Sequence, residues 1–391
     1  MNDSEKIKNY SCPLISDRKI IKQISADSVE SLAIIKYNQK DFILIGYSRG
    51  KFEIYDSTNL ELLTRNPEII EDSINNLYQL AYNTFAVTCR RNLFIYLFYS
   101  VFDSTNNKEK YFVALIQTIK FETKDGSTPF FYGLTFSKAF LYDELLYKEN
   151  KENKKMKIEK GENKNMYGIN NKLIISGTVG IFLLKRKEPE NEDNIKNMDI
   201  NEYIKYRTEN KYIMEERITN LENYDMIQVN YKFLAGTITD YLCLYSIPDH
   251  QLITKFEADI SDNCDSIIYM INEDILCLGG KSTISLFSIK NYKFVFNILV
   301  KLGFRITEIC ILPNYNILVA LENRSYSDHG EYFYQYKYSF NMNKTTKIKE
   351  YELKEVSHKL LSDERSNATM KCLSDNKLVS IIGSKFIQIW E

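Results

Sequence analysis

The residues of this chain with the plainest chemical potential are seven basic side chains set in short polar breaks between apolar runs: Arg49, Lys51, Arg90, Arg91, Lys281, Arg324 and Lys385. An arginine fork takes two oxygens of a carboxylate or phosphate at once, and a lysine adds a point charge. If the breaks gather on one face, they make a surface for an acidic or phosphorylated peptide. These seven are the candidate binding residues.

Catalytic constellations are missing. His250, His329 and His358 stand far apart and mostly in turn-like segments, which reads as surface histidine rather than a metal cluster. No GxGxxG, GxxxxGK[ST] or GxSxG stretch occurs, so there is no dinucleotide turn, phosphate loop or nucleophile elbow. The alternating aspartates of a calcium loop are absent too. The carboxylates sit in polar segments, where solvation is the default. The expectation is a chain that is not an enzyme, with no catalytic residue, no cofactor and no metal.

The seven cysteines are Cys12, Cys89, Cys243, Cys264, Cys277, Cys310 and Cys372. Their number is odd, no CxxC occurs, and most lie within apolar runs. They read as reduced thiols that pack as small hydrophobes. The expected compartment is therefore reducing: cytoplasmic, with the nucleus also compatible. The first residues, MNDSEKIKNYSCPLISDRK, hold no apolar core of a secretory signal. No window approaches the length of an uncharged apolar membrane span.

Bulk numbers narrow the classes further. Lys and Arg total 51 against 52 Asp and Glu, a formal net charge of −1, so no global field draws the chain to nucleic acid or an anionic membrane. Hydrophobic residues make up 44% of 391, enough for a large folded core and too many for a disordered chain. Aromatics are shared unevenly, with 29 Tyr, 22 Phe and one Trp, while Gly (14) and Pro (6) are scarce.

The elements that must position the basic breaks repeat along the chain. Phe42-Ile43-Leu44-Ile45-Gly46 leads through a polar turn to Phe52-Glu53-Ile54-Tyr55-Asp56. Phe233-Leu234-Ala235-Gly236 leads likewise to Tyr241-Leu242-Cys243-Leu244-Tyr245. From small residue to large residue both span nine positions, and four further copies span seven: Cys89 to Tyr96, Gly177 to Leu184, Gly280 to Phe287 and Gly383 to Trp390. A difference of two keeps every side chain on its face, whereas a slip of one would flip it. A looser seventh copy runs from Asn316–Ala320 to the strand around Tyr332, Phe333 and Tyr334. Further strand-like runs flank most hairpins, which makes four strands in about 40 residues, the period of a propeller blade.

With these residues in view the chain resembles the WD40 repeat family. Leu44-Ile45-Gly46 through Ile54-Tyr55-Asp56 is similar to the family's apolar-Gly-turn-apolar-Trp-Asp stretch, with Tyr55 in place of Trp, and the last residues are Ile389-Trp390-Glu391. Tyr96, Tyr245 and Phe287 fall where the family places Trp. No Gly-His dipeptide occurs, so the family's histidine-based hydrogen-bond tetrad carries over to no blade. Arg90-Arg91 lacks the glycine of the phosphoinositide-binding motif found in some propellers, and that role is not carried over either.

The resemblance implies an all-β fold: a single seven-bladed β-propeller of four-stranded antiparallel blades. Its expected spans are 28–66, 73–123, 127–217, 218–258, 264–301, 303–354 and 368–391, the last completed by a strand from 17–26 that closes the ring. Length left over falls mainly in blade 3, in a Lys-rich insert near 148–168 and an acidic one near 188–211, both read as solvated low-complexity loops. Ser357–Asn367 reads as a polar link with room for a short helix. The implied function is a protein–protein interaction scaffold or adaptor, a subunit of a larger complex that binds peptides through its loop faces. The alternatives are a lipid- or nucleic-acid-binding propeller using the basic turns, and more remotely a propeller hydrolase.

Overall fold

Apolar runs without polar alternation become central strands in the computed structural model. Lys40–Tyr47 is buried from Phe42 onward, and Phe52–Asp56 is buried from Phe52 to Tyr55. Such strands are covered on both faces, so neither face tolerates a polar row. Outer strands alternate instead, as in Leu252–Glu257. The structure describes residues 12–67, 70–81, 83–89, 92–120, 136–142, 172–177, 180–186, 198–219, 225–229, 233–238, 241–246, 251–258, 267–272, 274–280, 283–300, 304–312, 316–324, 329–342, 349–362 and 369–391.

The strands make seven four-stranded sheets, the blades of an all-β seven-bladed propeller. β1 (Ile20–Ser25) precedes them. Blade 1 is β2 (Val29–Tyr37), β3 (Lys40–Tyr47), β4 (Phe52–Asp56) and β5 (Leu62–Arg65). Blade 2 is β6 (Asn76–Ala81), β7 (Thr84–Thr88), β8 (Asn92–Asp103) and β9 (Lys108–Lys120). Blade 3 is β10 (Phe136–Tyr142), β11 (Lys172–Gly177), β12 (Gly180–Arg186) and β13 (Tyr212–Thr219). Blade 4 is β14 (Asp225–Gln228), β15 (Phe233–Ile238), β16 (Tyr241–Ser246) and β17 (Leu252–Glu257). Blade 5 is β18 (Ile267–Met270), β19 (Ile275–Gly279), β20 (Thr283–Ser288) and β21 (Lys293–Leu299). Blade 6 is β22 (Phe304–Leu312), β23 (Asn316–Arg324), β24 (His329–Met342) and β25 (Lys349–Ser362). Blade 7 is β26 (Thr369–Cys372), β27 (Leu378–Ile382) and β28 (Phe386–Trp390), with β1 as its fourth strand. β1 pairs antiparallel with β28 from Ile20↔Trp390 to Ser25↔Phe386, so the ring closes as the sequence suggested.

One irregularity recurs. The third and fourth strands slip register between Ile54 and Tyr55, Ile95 and Tyr96, Leu183 and Leu184, Leu244 and Tyr245, and Leu286 and Phe287. Each slip sits at the large residue that the repeat singles out, and all five of these residues are buried. In blade 6 a slip falls between Gln335 and Tyr336, and Tyr336 pairs with Ile317 as Tyr55 pairs with Ile43. The equivalent residue is therefore Tyr336, further along than the Tyr332–Tyr334 stretch. The long strands β23 and β24 stretch this hairpin, so the spacing of the other blades does not transfer.

The chain divides into two units, Ala26–Ile268 and Met1–Ser25 with Tyr269–Glu391. In the first, Phe42, Leu44, Phe52 and Ile54 pack with Phe85, Val87, Tyr96 and Phe98 in one core cluster. Phe52 meets the Phe85 ring edge-on at 5.3 Å and the Tyr96 ring at 4.9 Å, the geometry aromatic quadrupoles favour. A second cluster joins Leu93, Ile95 and Leu97 to Leu173, Ile175 and Leu184.

Two expectations change here. The acidic insert holds a helix, α1 (Ile200–Glu209), whose start is fixed by a capping box between Asp199 and Glu202. Tyr203 is buried in the cluster beneath it, with Ile200 and Ile204 packed alongside. The Lys-rich insert lies outside the described residues. The supposed link after Ser357 is strand instead: β25 runs on to Ser362 because β24 is long enough to pair it, with Tyr334 opposite His358.

In the second unit the segment before β1 works as a wedge. Ile15 is fully buried among Leu312, Leu318, Phe333, Met370, Leu378 and Trp390. Its backbone N–H donates to Gln335 Oε1 at 2.7 Å, and that of Ser16 donates to Ser357 Oγ at 3.0 Å. The Gln335 amide donates to Asn316 Oδ1 at 3.1 Å, which fixes the otherwise buried acceptor in place.

Candidate binding face

The turn between β3 and β4 carries Arg49 and Lys51. Gly50 has φ +71, and a Cβ there would stand 1.7 Å from the Ile70 carbonyl oxygen, so only glycine fits. The turn closes through Gly50 N–H to Tyr47 O at 3.2 Å and Tyr47 N–H to Lys51 O at 2.9 Å. Neighbouring chain then clamps it. The Asn66 amide donates to Gly50 O and accepts from Phe52 N–H, both at 3.0 Å. The Ser73 hydroxyl donates to Ser48 O at 2.6 Å. Arg49 stands exposed at the tip of this clamped backbone.

Lys51 faces a different task. Its Nζ lies 2.6 Å from Glu53 Oε1 and 5.2 Å from the centre of the Tyr47 ring. Glu53 is buried, and the hydroxyls of Tyr47 and Tyr55 both donate to its Oε2 at 2.6 Å. Burial pushes the Glu53 carboxyl up, but the hydrogen bonds from Lys51, Tyr47 and Tyr55 outweigh it and hold the carboxyl below its ordinary range. Burial, and then the shared hydrogen bond to Glu53, push both tyrosine hydroxyls far up. Lys51, itself partly exposed, thus spends its charge on a buried carboxylate that would otherwise have no cation beside it.

Of the other candidates, Lys385 is exposed in the turn between β27 and β28, with its N–H donating to Ile382 O at 3.1 Å. Arg324 ends β23 opposite His329, and its side chain lies outside the described residues. Arg90, Arg91 and Lys281 lie outside them as well.

The sequence reading missed a polar chain on three first strands of the second unit. Tyr269 on β18 donates its hydroxyl to Glu308 Oε1 at 3.0 Å, and Lys371 on β26 lies 3.2 Å from Glu308 Oε2. The signal was a carboxylate inside the apolar run of β22. Both oxygens of Glu308 are thus engaged, one by a phenol and one by a lysine.

Among the described residues no group of three or more His, Cys, Asp or Glu is placed to hold a metal. Burial pushes the thiol of Cys243 up to about 11, and those of Cys89 and Cys277 up to about 12, which keeps them protonated and unreactive. Cys264 and His250 lie outside the described residues. His358 is exposed, with Nδ1 3.0 Å from Glu355 and its ring stacked on Tyr334 at 5.2 Å. No helix among the described residues is long and apolar enough to cross a membrane.

No family model matches the sequence, and a search of curated proteins finds no match. Among solved structures 1002 chains match, so the fold is widespread and selects no function by itself. One is a chain in the crystal structure of a mitotic checkpoint complex, with a TM-score of 0.58 and 10% identity over 100% of this chain and 96% of that one. The likeness at that identity is one of fold alone.

Proposed function

We propose that this protein is a non-enzymatic interaction scaffold, a subunit of a larger intracellular complex that binds an acidic or phosphorylated peptide through the turns between the second and third strands of its blades. The observation that carries the reading is Arg49, an exposed guanidinium on a backbone clamped by Gly50, Asn66 and Ser73. A fork presented on rigid backbone loses little entropy on binding an oxyanion. The propeller supports the reading because it offers a stiff platform for loops, and the fold neighbour is a chain of a protein complex. Cys12, Cys89, Cys243, Cys277 and Cys310 are thiols outside any disulfide, in keeping with a reducing compartment. Lys51 contributes little, since Glu53 holds it.

The test is binding of a pool of acidic and phosphorylated peptides to the wild type, to Arg49→Glu and to Arg90→Glu/Arg91→Glu. Each charge reversal is expected to weaken binding about tenfold or more. Unchanged affinity in both variants rejects the proposed face. Binding of liposomes or RNA that falls steeply with salt, with no peptide bound, would instead favour the lipid- or nucleic-acid-binding alternative.

A further inference from the structure

Arg18 is a buried cation with no counter-charge among the described residues. It is 2% exposed. Nη1 donates to the Asn376 carbonyl at 2.9 Å, while Nε and Nη2 are buried with no oxygen or nitrogen acceptor among the described residues. Those two nitrogens form one edge of the guanidinium, the edge that grips a pair of oxygens side-on. A guanidinium cannot shed its proton to escape burial, so its open edge is costly unless an anion occupies it.

Among the described residues no carboxylate pairs with Arg18; Glu391, whose backbone pairs with Lys19, is exposed and acts on Lys377. Cys12 lies beside Arg18: burial raises its thiol against the charge of Arg18 and hydrogen bonds from Arg18 and Gln335, so the sulfur is a weak, neutral partner of the guanidinium and not a counter-charge. Lys359 adds a second positive group: its Nζ lies 2.5 Å from the Arg18 carbonyl oxygen and 5.0 Å from the centre of the Trp390 ring. Nearby carboxylates have other partners, Asp375 with Lys377 at 2.6 Å and Glu355 with His358 at 3.0 Å. Asp17 is exposed and accepts from the Ser16 hydroxyl.

We propose that the Nε–Nη2 edge of Arg18 is an oxyanion site that takes a phosphate or carboxylate group between β1 and the Leu373–Lys377 turn of blade 7. Arg18 precedes Ile20, which pairs with Trp390 at the far end of β28 from Lys385, so this site is separate from the turns proposed for peptide binding and stands or falls independently of them. Cys12 lies beside it and is half-buried, and the next residues, Pro13 and Leu14, are exposed. Cys12 is held through its sulfur, which accepts from Gln335 Nε2 at 3.7 Å.

The experiment is equilibrium dialysis of the full chain against inorganic phosphate and, separately, acetate at fixed ionic strength, with melting curves beside it. About one anion per chain is expected, together with a saturable rise in melting temperature. Arg18→Lys keeps the charge and loses the fork, and should weaken binding about tenfold or more. A response to phosphate alone assigns the site to phosphate groups, and one to acetate alone assigns it to carboxylates. No saturable binding of either anion, or equal binding by Arg18→Lys, overturns the proposal. If the variant does not fold, hydrogen exchange on the wild type decides. The bound anion should slow exchange across residues 12–19, and an unchanged rate there overturns the site.

Discussion

Lys19 and Glu391 exchange two backbone hydrogen bonds, Lys19 N–H to Glu391 O at 2.9 Å and Glu391 N–H to Lys19 O at 3.0 Å. This reciprocal pair starts the ladder by which β1 completes blade 7. Just before it, the wedge around Ile15 adds a packed contact to the seam.

The wedge should therefore matter as much as the strand. Ile15→Ala is expected to cost about 2–4 kcal/mol, the range for truncating a fully buried aliphatic side chain. Urea unfolding of the full chain measures it. Removing residues 1–27 should leave protein that is strongly destabilised or insoluble, and a soluble truncation with an unchanged melting temperature would refute the seam.

Gly50→Ala should destabilise by about 2 kcal/mol or more, because alanine resists φ +71 and its Cβ meets the Ile70 carbonyl. Asn66→Ala should follow in the same direction by about 1–2 kcal/mol, since it leaves Gly50 O and Phe52 N–H without their side-chain partner. If both variants melt with the wild type, the turn is not clamped as described.

The Glu53 cluster makes a prediction about pH. Its folded carboxyl titrates below its ordinary range, so the stability it contributes is present above the unfolded value, near about 4.3, and is lost as pH falls through the folded one. Glu53→Gln should flatten that acid limb in denaturation curves taken below about pH 5. On the alkaline side, Tyr47 and Tyr55 titrate above their ordinary value. They favour the fold below about pH 10 and lose that contribution as pH rises through their folded values. In a spectrophotometric titration of the native protein, Tyr47→Phe/Tyr55→Phe should remove late-ionising hydroxyls. Loss of amplitude near pH 10 instead would contradict the buried arrangement.

Asp199→Ala should weaken α1 by about 1 kcal/mol, because the cap feeds the N–H groups of Asn201 and Glu202. Faster hydrogen exchange confined to 199–209 is the expected signature, and unchanged exchange there argues against the cap.

Most of the architecture was legible because the repeat leaves its mark on side chains that must pack. Tyr55, Tyr96, Tyr245, Phe287 and Trp390 are all buried, so substitution among large residues preserves the signal from blade to blade. Tyr336 was harder to place because the blade 6 hairpin is longer, and counting from Ala320 stops short of it. The Asp199–Glu202 capping signal was present too, but the acidic residues around it masked the apolar spacing of Ile200, Tyr203 and Ile204. The candidate face was less legible. Sequence marks Lys51 as a turn cation but does not reveal that Glu53, two residues on, faces back to it from a buried strand. Nor does composition distinguish Arg18 from a surface arginine, since its burial depends on a wedge that only the closed blade creates.

The register slip beside Tyr55 and its counterparts has a consequence for how the chain can vary. Each slip takes the fourth strand out of step with the packed central pair, as a joint does between rigid panels. Beyond the joint, the rim strands range from four residues in Leu62–Arg65 to fourteen in Lys349–Ser362, while the central faces keep their alternation. Where the rim strand lengthens, the third strand lengthens with it, as His329–Met342 does with Lys349–Ser362. Blades can acquire individual outlines without renegotiating the core, and a partner that grips the circumference can tell one blade from the next by outline alone.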